Sequence, residues 1–262
     1  MMNQSESSYI GRHAELYDLF YSEKSYADEA KFVHKCLQKV SNGKARRILE
    51  LACGTGNHAF QMEKLGYDVI ATDYSKDMLV QANLKALKSG SKVIFRQEDM
   101  RDINVPERPF DAVMCLFDSI GYVGSNESIH AIFDNVSRHL CKGGCFIFEF
   151  WHAAAMIKSF EPVRIRRWRK TGREILRISE TQMDILQQLC HVNYSIYELN
   201  DNGNYGYTRE TQTNRYFLIQ EMADFLAFSG LKPLKWFRGF SEIETIDETT
   251  WHIVALAQKQ EN

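Results

Sequence analysis

The sequence predicts an α/β fold in which a doubly wound, mostly parallel sheet carries an antiparallel β lid inserted after its fifth strand. Three observations predict this fold. A buried strand runs into a glycine-rich turn and a helix at residues 48–57. Acidic residues, Asp73 and Asp99, then end the next two strands. Extended segments separated by turn residues fill residues 163–217. The first two observations describe a nucleoside-binding βαβ unit, whose ligand lies at the carboxyl edge of the sheet.

The elements of the first half follow from apolar periodicity and from capping residues. Apolar residues at helical spacing predict that the segment from about Tyr9 to Val40 is helical. Ser75 has the character of a helix N-cap. The further predicted elements are a helix from Asn57, strands at 67–73, 92–96 and 110–115, helices at 75–88 and from about 125 to 139, a turn at 142–144, and a fifth strand at 145–150.

The second half predicts antiparallel strands that end in a return to the core sheet. Extended segments are predicted at 163–168, 174–183, 189–198 and 207–217, followed by a helix at 220–229 and strands at 231–237 and 250–257. The chain therefore divides into a helical lid at 1–44, a nucleoside-binding core at 45–152, an inserted substrate platform at 153–217, and a closing helix and strands at 218–262.

Composition excludes several classes of partner. A net charge of −2 provides no basic field for nucleic acid. No apolar run approaches the roughly 18–20 residues that span a bilayer, and the first residues lack the features of a secretory signal. The six cysteines are scattered, which argues against a zinc site and predicts a reduced, cytoplasmic location. A monomer or homodimer acting on a small molecule is expected.

The residues around the glycine turn indicate which nucleoside binds. Gly54 permits the tight turn, and Gly56 is expected to let a ligand lie against the backbone. Asp73 can accept hydrogen bonds from both ribose hydroxyls, and Asp99 can accept one from the adenine amine. Glu50 would repel a pyrophosphate above the turn, but it suits the positive amino group and sulfonium of S-adenosylmethionine. The predicted cofactor is therefore S-adenosylmethionine, with S-adenosylhomocysteine as product and no metal.

Two other classes of function stay open on these residues. A nicotinamide-dependent dehydrogenase uses a similar glycine turn, although it does not account for Glu50 or for Asp99-Met100. A non-catalytic protein that binds S-adenosylmethionine and regulates a partner would keep the same cofactor residues. Selective binding of S-adenosylmethionine would exclude the first class, and release of S-adenosylhomocysteine would exclude the second.

The motifs resemble those of the class I S-adenosylmethionine-dependent methyltransferases. The segment Glu50-Leu51-Ala52-Cys53-Gly54-Thr55-Gly56, Asp73 and Asp99-Met100 match the cofactor motifs of that family in identity and order. A closer resemblance is to the small-molecule N-methyltransferases of amino sugars and, more distantly, of glycine. It is carried by Tyr9, residues 14–19, residues 99–102, Ser119-Ile120-Gly121 and Glu149-Phe150-Trp151.

The resemblance implies both a cofactor site and an acceptor site. The resemblance implies that Tyr9 reaches the active site, and the positions of Tyr122 after the fourth strand and of His152 after the fifth make them the other two candidate catalytic residues. The implied cofactor residues are Tyr17, Glu50, Ala52, Cys53, Gly54, Thr55, Gly56, His58, Asp73, Tyr74, Met78, Asp99, Met100, Leu116, Phe117 and Ser119. Tyr122 can hydrogen-bond an acceptor or pack under the lid. His152 can accept a proton or lie at the surface as a polar loop residue.

Departures from the family pattern shape the expected acceptor. Residues 116–119 lack the proline-containing signature of enzymes that methylate nucleobases or protein amides. Tyr122 replaces the histidine usual in the amino-sugar enzymes, and the acidic stretch 242–248 stands near their Gly-Arg-Gly. This stretch favours an acceptor without a nucleotide diphosphate. The basic run 164–170 would bind an anion or act as a charged edge strand.

Overall fold

The computed structural model describes residues 9–260, and its sheet is centred on five parallel strands. These strands lie in the order β3-β2-β1-β4-β5. Their bounds are Arg47–Glu50 for β1, Asp68–Asp73 for β2, Ile94–Gln97 for β3, Phe110–Cys115 for β4 and Leu140–His152 for β5. Because these strands are parallel, their carboxyl ends meet along one edge, which is where α/β sheets bind ligands.

Two antiparallel extensions leave β5 in different directions. β11 (His252–Lys259) pairs antiparallel with β5, and β10 (Leu231–Arg238) pairs with β11. The second extension begins where Trp151 and His152 pair in parallel with Tyr216 and Phe217. It contains β9 (Tyr205–Phe217), β8 (Leu189–Asn200), β7 (Arg173–Asp184) and β6 (Val163–Lys170), in that spatial order.

Apolar clusters hold helices against both faces of the parallel sheet. One cluster joins α5 and α7 to the sheet through residues such as Phe133, Phe225 and Phe148. The other joins α2 and α3 through residues such as Val33 and Met62. The helices are α1 (Gly11–Phe20), α2 (Tyr26–Ser41), α3 (Asn57–Lys64), α4 (Lys76–Ser89), α5 (Asn126–His139), α6 (Ala153–Ser159) and α7 (Ile219–Phe228).

The first helix links the antiparallel extension to the parallel core. Leu16 and Phe20 of α1 pack on Ile175 and Ile196 of β7 and β8. On another side of α1, Tyr17 packs on Met78 of α4. Helix α1 therefore lies against both units at the carboxyl edge of the sheet.

The fold class and the order of the predicted elements agree with the structure, which adds helix α6 (Ala153–Ser159) that the sequence did not predict. The other differences are local. The N-terminal helical region is two helices, broken at residues 21–25. The predicted turn at 142–144 is part of β5, where the pairing with β4 shifts in register between Phe110 and Ala112. Gly143, at φ +72°, lets the strand continue through this irregularity. Within residues 9–260 no helix combines the length and apolar character needed to cross a bilayer.

The turn after β1 depends on Gly56 for a steric reason within the protein. Gly56 has φ +80°, and a Cβ there would lie 2.7 Å from Cζ of Phe95 and 3.2 Å from Cε2 of Phe60. On its Cβ side, Gly56 is therefore closely approached by two aromatic rings. The contact of a ligand with the backbone of Gly56 stays a prediction.

Replacing Gly56 with alanine should destabilise the fold through this contact. Gly66 provides a matched control, since its φ is +91° and a Cβ there meets nothing within 4 Å. Both variants carry the cost of a left-handed alanine, so the difference between them isolates the clash. We expect Gly56→Ala to be less stable than Gly66→Ala by about 1–3 kcal/mol in urea unfolding. Equal unfolding free energies would show that Phe95 moves aside without cost.

Candidate active site

A cavity of about 710 Å³ lies between the carboxyl edge of the parallel sheet and the antiparallel extension. The strand ends contribute Ala52, Gly54, Asp73, Tyr74, Ser75, Met78, Glu98, Asp99, Met100 and Arg101 to its lining. The segment after β4 contributes Phe117, Ser119, Tyr122, Val123, Gly124, Ser125 and Ser128. The N-terminal segment adds Tyr9 and Tyr17, and the antiparallel strands add Leu189, His191 and Thr213. This volume is in the usual range of small-molecule sites, about 300–1,000 Å³.

Asp73 holds together the two turns at one end of this cavity. Its Oδ2 accepts a hydrogen bond from the Gly54 amide at 2.7 Å, and its Oδ1 accepts one from the Ser75 amide at 2.8 Å. Ser75 in turn caps α4 by accepting from the Met78 amide. Burial raises the pKa of Asp73 to about 6, and the two amides partly oppose that rise.

Glu50 is a buried carboxylate whose hydrogen-bonding capacity is only partly used. Its side chain is 2% exposed, and its Oε1 lies 3.9 Å from Nδ1 of His58. Its Oε2 has no hydrogen-bond partner among the described residues. Burial and the nearby Asp73 raise the pKa of Glu50 well above its ordinary value. An unpartnered buried oxygen is costly, so it points to a ligand group that donates to it.

Several of the expected cofactor residues lie behind the main cavity, around a space of about 20 Å³. These are Glu50, Cys53, Thr55, His58 and Leu116, while Tyr17, Ala52, Phe117 and Ser119 border both spaces. Thr55 donates to Asp18 at 2.6 Å, and Nε2 of His58 is 2.6 Å from Glu29. Both side chains therefore attach the glycine turn to the N-terminal helices in this structure.

Asp99 lines the cavity, but its carboxylate is already occupied by a neighbour. Arg101 donates to it from the backbone amide at 2.9 Å and also from the guanidinium. This ion pair holds the pKa of Asp99 below its ordinary value, against the effect of partial burial. Met100 also lines the cavity, and its packing on a base stays a prediction.

Tyr9 and Tyr122 meet in the cavity wall. Their hydroxyls share a hydrogen bond, and their rings pack edge to face at 5.6 Å. Burial raises the pKa of both phenols well above the ordinary value, so both stay protonated near neutral pH. The Tyr9 amide donates to Glu210 of β9 at 2.8 Å, and its carbonyl accepts from Ser75 at 2.7 Å. The segment before α1 thus connects the antiparallel sheet to the start of α4.

The turn after β4 is held in a strained conformation by buried charges. Phe117 and Asp118 have φ of +60° and +55°, which non-glycine residues rarely adopt. Glu149 of β5 accepts from the Phe117 amide at 2.6 Å. Nδ1 of His252 lies 2.8 Å from Asp118 Oδ2 and 3.3 Å from Glu149 Oε1. These ligand-type atoms lie within 4.8 Å of one another, but here the imidazole supplies the positive charge between the carboxylates.

The protonation of this cluster follows from its geometry. Asp118 and Glu149 together raise the pKa of His252 to about 11, with Asp118 as the larger cause. Burial and the charge of Glu149 raise the pKa of Asp118, whereas His252 lowers it. One imidazole faces two carboxylates at contact distance, so the raised pKa of His252 determines the charge of the cluster and the imidazole stays protonated near neutral pH.

His152 is not brought to the cavity, so its expected convergence with Tyr9 and Tyr122 is wrong. It ends β5, its side chain is buried, and its Nδ1 lies 3.1 Å from the carbonyl of Thr250. Burial lowers its pKa, with that carbonyl opposing the shift. Successive side chains of a strand point to opposite faces of the sheet. With Trp151 and His152 paired to β9, the His152 imidazole lies toward the 250–252 segment.

The acidic stretch 242–248 and the basic run 164–170 also lie away from the cavity lining. In the acidic stretch, Glu242 pairs with Lys35 and Asp247 pairs with Arg238. In the basic run on β6, Arg167 and Arg169 both pair with Glu174. Neither segment contributes to the lining of the cavity. The acidic stretch therefore gives no information about the acceptor. It does not support the expectation that the acceptor lacks a nucleotide diphosphate.

Sequence reasoning missed the residues that the antiparallel strands place in the cavity wall. Leu189 and His191 alternate along β8, and Thr213 faces His191 across the strand pair. Nδ1 of His191 lies 2.9 Å from Oγ1 of Thr213. Alternation alone would have grouped these residues on one face, but it does not show which part of that face borders the core.

Comparison with known proteins gives a consistent set of similarities. Residues 48–144 match the family model described as a methyltransferase domain. The chain is 33% identical over 172 residues to dTDP-3-amino-3,4,6-trideoxy-alpha-D-glucopyranose N,N-dimethyltransferase of Streptomyces venezuelae, covering 64% of this chain and 69% of that relative. Matches to several other relatives span about half of the relative's length.

Two solved structures share the architecture of nearly the whole chain. Streptomyces venezuelae DesVI is 25% identical, with a TM-score of 0.78 over 94% of this chain and 99% of that one. The amino pentose methyltransferase CalS10 from Micromonospora echinaspora, solved with S-adenosylmethionine bound, is 22% identical. Its TM-score is 0.76, over 94% of this chain and 97% of that one. The likeness to CalS10 shows a shared fold.

The pairing of His252 with the buried carboxylates of Asp118 and Glu149 makes a pH-dependent contribution to stability. The raised pKa means that the contribution is full below the ordinary imidazole pKa of about 6.5 and is lost as the pH rises through about 11. We expect His252→Gln to be less stable than the wild type by about 1–2 kcal/mol at pH 7, a value discounted because the side chain is 44% exposed. The difference should shrink from pH 8 to 11 in urea unfolding. His34→Gln, whose imidazole faces Tyr67 instead of a carboxylate, is the control and should show no such trend.

Proposed function

The chain belongs to the S-adenosylmethionine-dependent methyltransferases, and from this premise we propose that it methylates an amine or hydroxyl of a small molecule, with an amino sugar as the favoured acceptor class. One observation carries the proposal. A single cavity joins a nucleoside-type end, built on Asp73, to an end lined by tyrosine hydroxyls under antiparallel strands. The similarities lend no support to a nicotinamide-dependent dehydrogenase or to a non-catalytic regulator.

The residues of the cavity, together with Glu50 in the small space behind it, fit S-adenosylmethionine by their chemistry. The buried Oε2 of Glu50 lacks a hydrogen-bond partner among the described residues, so it suits the positive amino group of a methionine moiety. Asp73 lies at the end of β2, where it can accept from ribose hydroxyls. Met78 and Met100 offer apolar contact to a base, and Tyr74 lines the wall nearby. When bound, the cofactor supplies a methyl carbon attached to a positively charged sulfur.

The side chains at the other end act by orientation and by excluding water. Because their pKa values are raised, Tyr9 and Tyr122 act as hydrogen-bond donors and not as bases. The hydroxyl of Ser119 donates to the Leu116 carbonyl at 2.8 Å, which leaves its lone pairs for an incoming donor. Phe117 contributes an apolar wall whose backbone position is set by Glu149.

We assign residues 153–217 the role of acceptor platform and residues 1–44 the role of a lid. Leu189, His191 and Thr213 support the first assignment, since they reach the cavity from β8 and β9. Tyr9 and Tyr17 support the second, since both line the same cavity from the N-terminal side. Residues 45–152 and 218–262 then form the cofactor-binding core.

The charge of the cavity favours an acceptor without a diphosphate. Among the described lining residues, Arg101 is the only arginine or lysine, and Asp99 neutralises it. A diphosphate in this space would lack a compensating cation, and burying an unpaired charge is costly. The amino sugar is therefore proposed as the free sugar or a neutral glycoside.

The test of the proposed function is a screen for S-adenosylhomocysteine release. It uses free amino sugars, neutral amino glycosides, glycine, and polyols that lack an amine, with one dTDP-linked amino sugar for comparison. We expect turnover with an amino sugar, and weaker binding of the dTDP-linked form. Tighter binding of the dTDP-linked form than of the free amino sugar, with that affinity lost when Arg166 and Arg169 are both neutralised, would overturn the preference against phosphate. No turnover with any acceptor would overturn the proposed function.

Replacing Asp73 with alanine should weaken cofactor binding. The loss of charge-assisted bonds to ribose should cost about 1.5–3 kcal/mol, or roughly tenfold or more in S-adenosylhomocysteine affinity by calorimetry. Asp68→Ala is the matched control, because Asp68 is exposed at the other end of the same strand. Because the pKa of Asp73 is about 6 in the protein without ligand, wild-type affinity should also fall as the pH drops through 6. Unchanged affinity in Asp73→Ala would remove Asp73 from the site.

A further inference from the structure

We propose that His191 accepts the proton that an ammonium acceptor must lose before methyl transfer, an inference that rests on the proposed function. His191 lies on β8, which sequence reasoning assigned to the platform and not to the chemistry. Among the described residues that line the cavity, it is the only histidine. His191 would then have the role of proton acceptor that the sequence predicted for His152, whose imidazole faces the Thr250 carbonyl.

The position of His191 fits contact with an acceptor. Leu189, two residues earlier on the same strand, approaches Gly124, where a Cβ would lie 3.5 Å from its Cδ2. Gly124 follows Tyr122 by two residues, so this end of β8 lies against the segment that carries Tyr122. His191 and Thr213 are direct partners in the β8–β9 pairing, and both line the cavity.

The other titratable groups in the wall are poorly suited to this task. The phenols of Tyr9, Tyr17 and Tyr122 have pKa values raised by burial, so they hold their protons. Asp73 and Asp99 lie at the nucleoside end and are hydrogen-bonded to Gly54 and to Arg101, respectively. Glu98 also follows β3 and accepts from the Asn104 amide at 3.3 Å. Imidazole is the side chain that exchanges protons most readily near neutral pH.

The contact with Thr213 is compatible with the tautomer that a base at Nε2 requires. Nδ1 of His191 lies 2.9 Å from Oγ1 of Thr213, and in the tautomer whose Nδ1–H donates to that hydroxyl, Nε2 carries the free lone pair. An aliphatic amine reaches the site as an ammonium ion and has no lone pair to offer. Nε2 takes one proton from it, which leaves a neutral amine. The nitrogen lone pair then forms a bond to the methyl carbon while the carbon–sulfur bond breaks, and its electron pair stays on sulfur. The proton on His191 leaves to solvent.

The decisive comparison uses His191→Gln, which keeps polarity but removes the base, and Thr213→Val, which removes the Nδ1 partner. His130→Gln is the control, because His130 packs on Phe225 outside the cavity lining. The probes are D-glucosamine and 3-amino-3-deoxy-D-glucose with saturating S-adenosylmethionine. We expect His191→Gln to lower kcat/KM by about 10²-fold at pH 7, with S-adenosylhomocysteine affinity retained. The loss should narrow at high pH, where the amine is already neutral, and Thr213→Val should show a smaller loss.

A second measurement decides the inference without turnover. In the wild type loaded with S-adenosylhomocysteine, diethyl pyrocarbonate should modify His191, and D-glucosamine should slow the modification of His191 more than that of the other histidine peptides in the same sample, read by mass spectrometry. This internal comparison is needed because the amine also consumes the reagent. If the loss of kcat/KM in His191→Gln is independent of pH and comes only from KM, His191 is not a base, and its contribution is a hydrogen bond to the acceptor. Turnover by His191→Gln equal to that of the wild type would overturn the inference, while the proposed function would stand. Absence of wild-type turnover with every acceptor of the screen would instead overturn the proposed function, and unslowed modification would then overturn the inference as well.

Discussion

The pairing of β5 with strands on both of its sides is the constraint on which the site depends. Along most of its length β5 pairs with β4 and β11, which fixes the parallel edge. At its last two residues it also pairs with β9. Because two sheets share this strand end, the antiparallel extension must lie next to the carboxyl edge of the core. The cavity is the space between them, and its two chemical ends follow from the two kinds of sheet.

That junction explains how residues far apart in sequence become neighbours. Glu149 on β5 accepts from the amide of Phe117 after β4, and His252 on β11 closes the charge cluster beside it. Two left-handed residues in succession are unfavourable by themselves. The buried carboxylate and the imidazolium offset this cost by satisfying the backbone and balancing the charge. The wall that Phe117 forms in the cavity is thus determined by strands on both sides of the strained turn.

The sequence predicted the positions of the residues at the ends of the parallel strands better than those of the residues that line the rest of the cavity. Gly54 and Asp73 are set by local chemistry, since a strand, a tight turn and the next strand end must meet in a βαβ unit. Whether the His152 side chain reaches the cavity depends on which strand pairs with the end of β5, and the sequence does not encode that pairing locally. His191 was missed for a related reason, because alternation groups residues on a face without showing what the face adjoins. The steric contact at Gly56 was not predicted because Phe95, its neighbour, belongs to a strand about forty residues later.

The N-terminal segment couples the two ends of the cavity through contacts with both sheets. The backbone of Tyr9 is held by Glu210 of β9 on one side and by Ser75 on the other. Ser75 also donates its amide to Asp73, so Ser75 connects the backbone of Tyr9 to the carboxylate that is proposed to bind ribose. Two hydrogen bonds through one serine thus join residues at the two ends of the cavity. A fixed spacing between those ends suits a reaction whose catalysis relies on orientation.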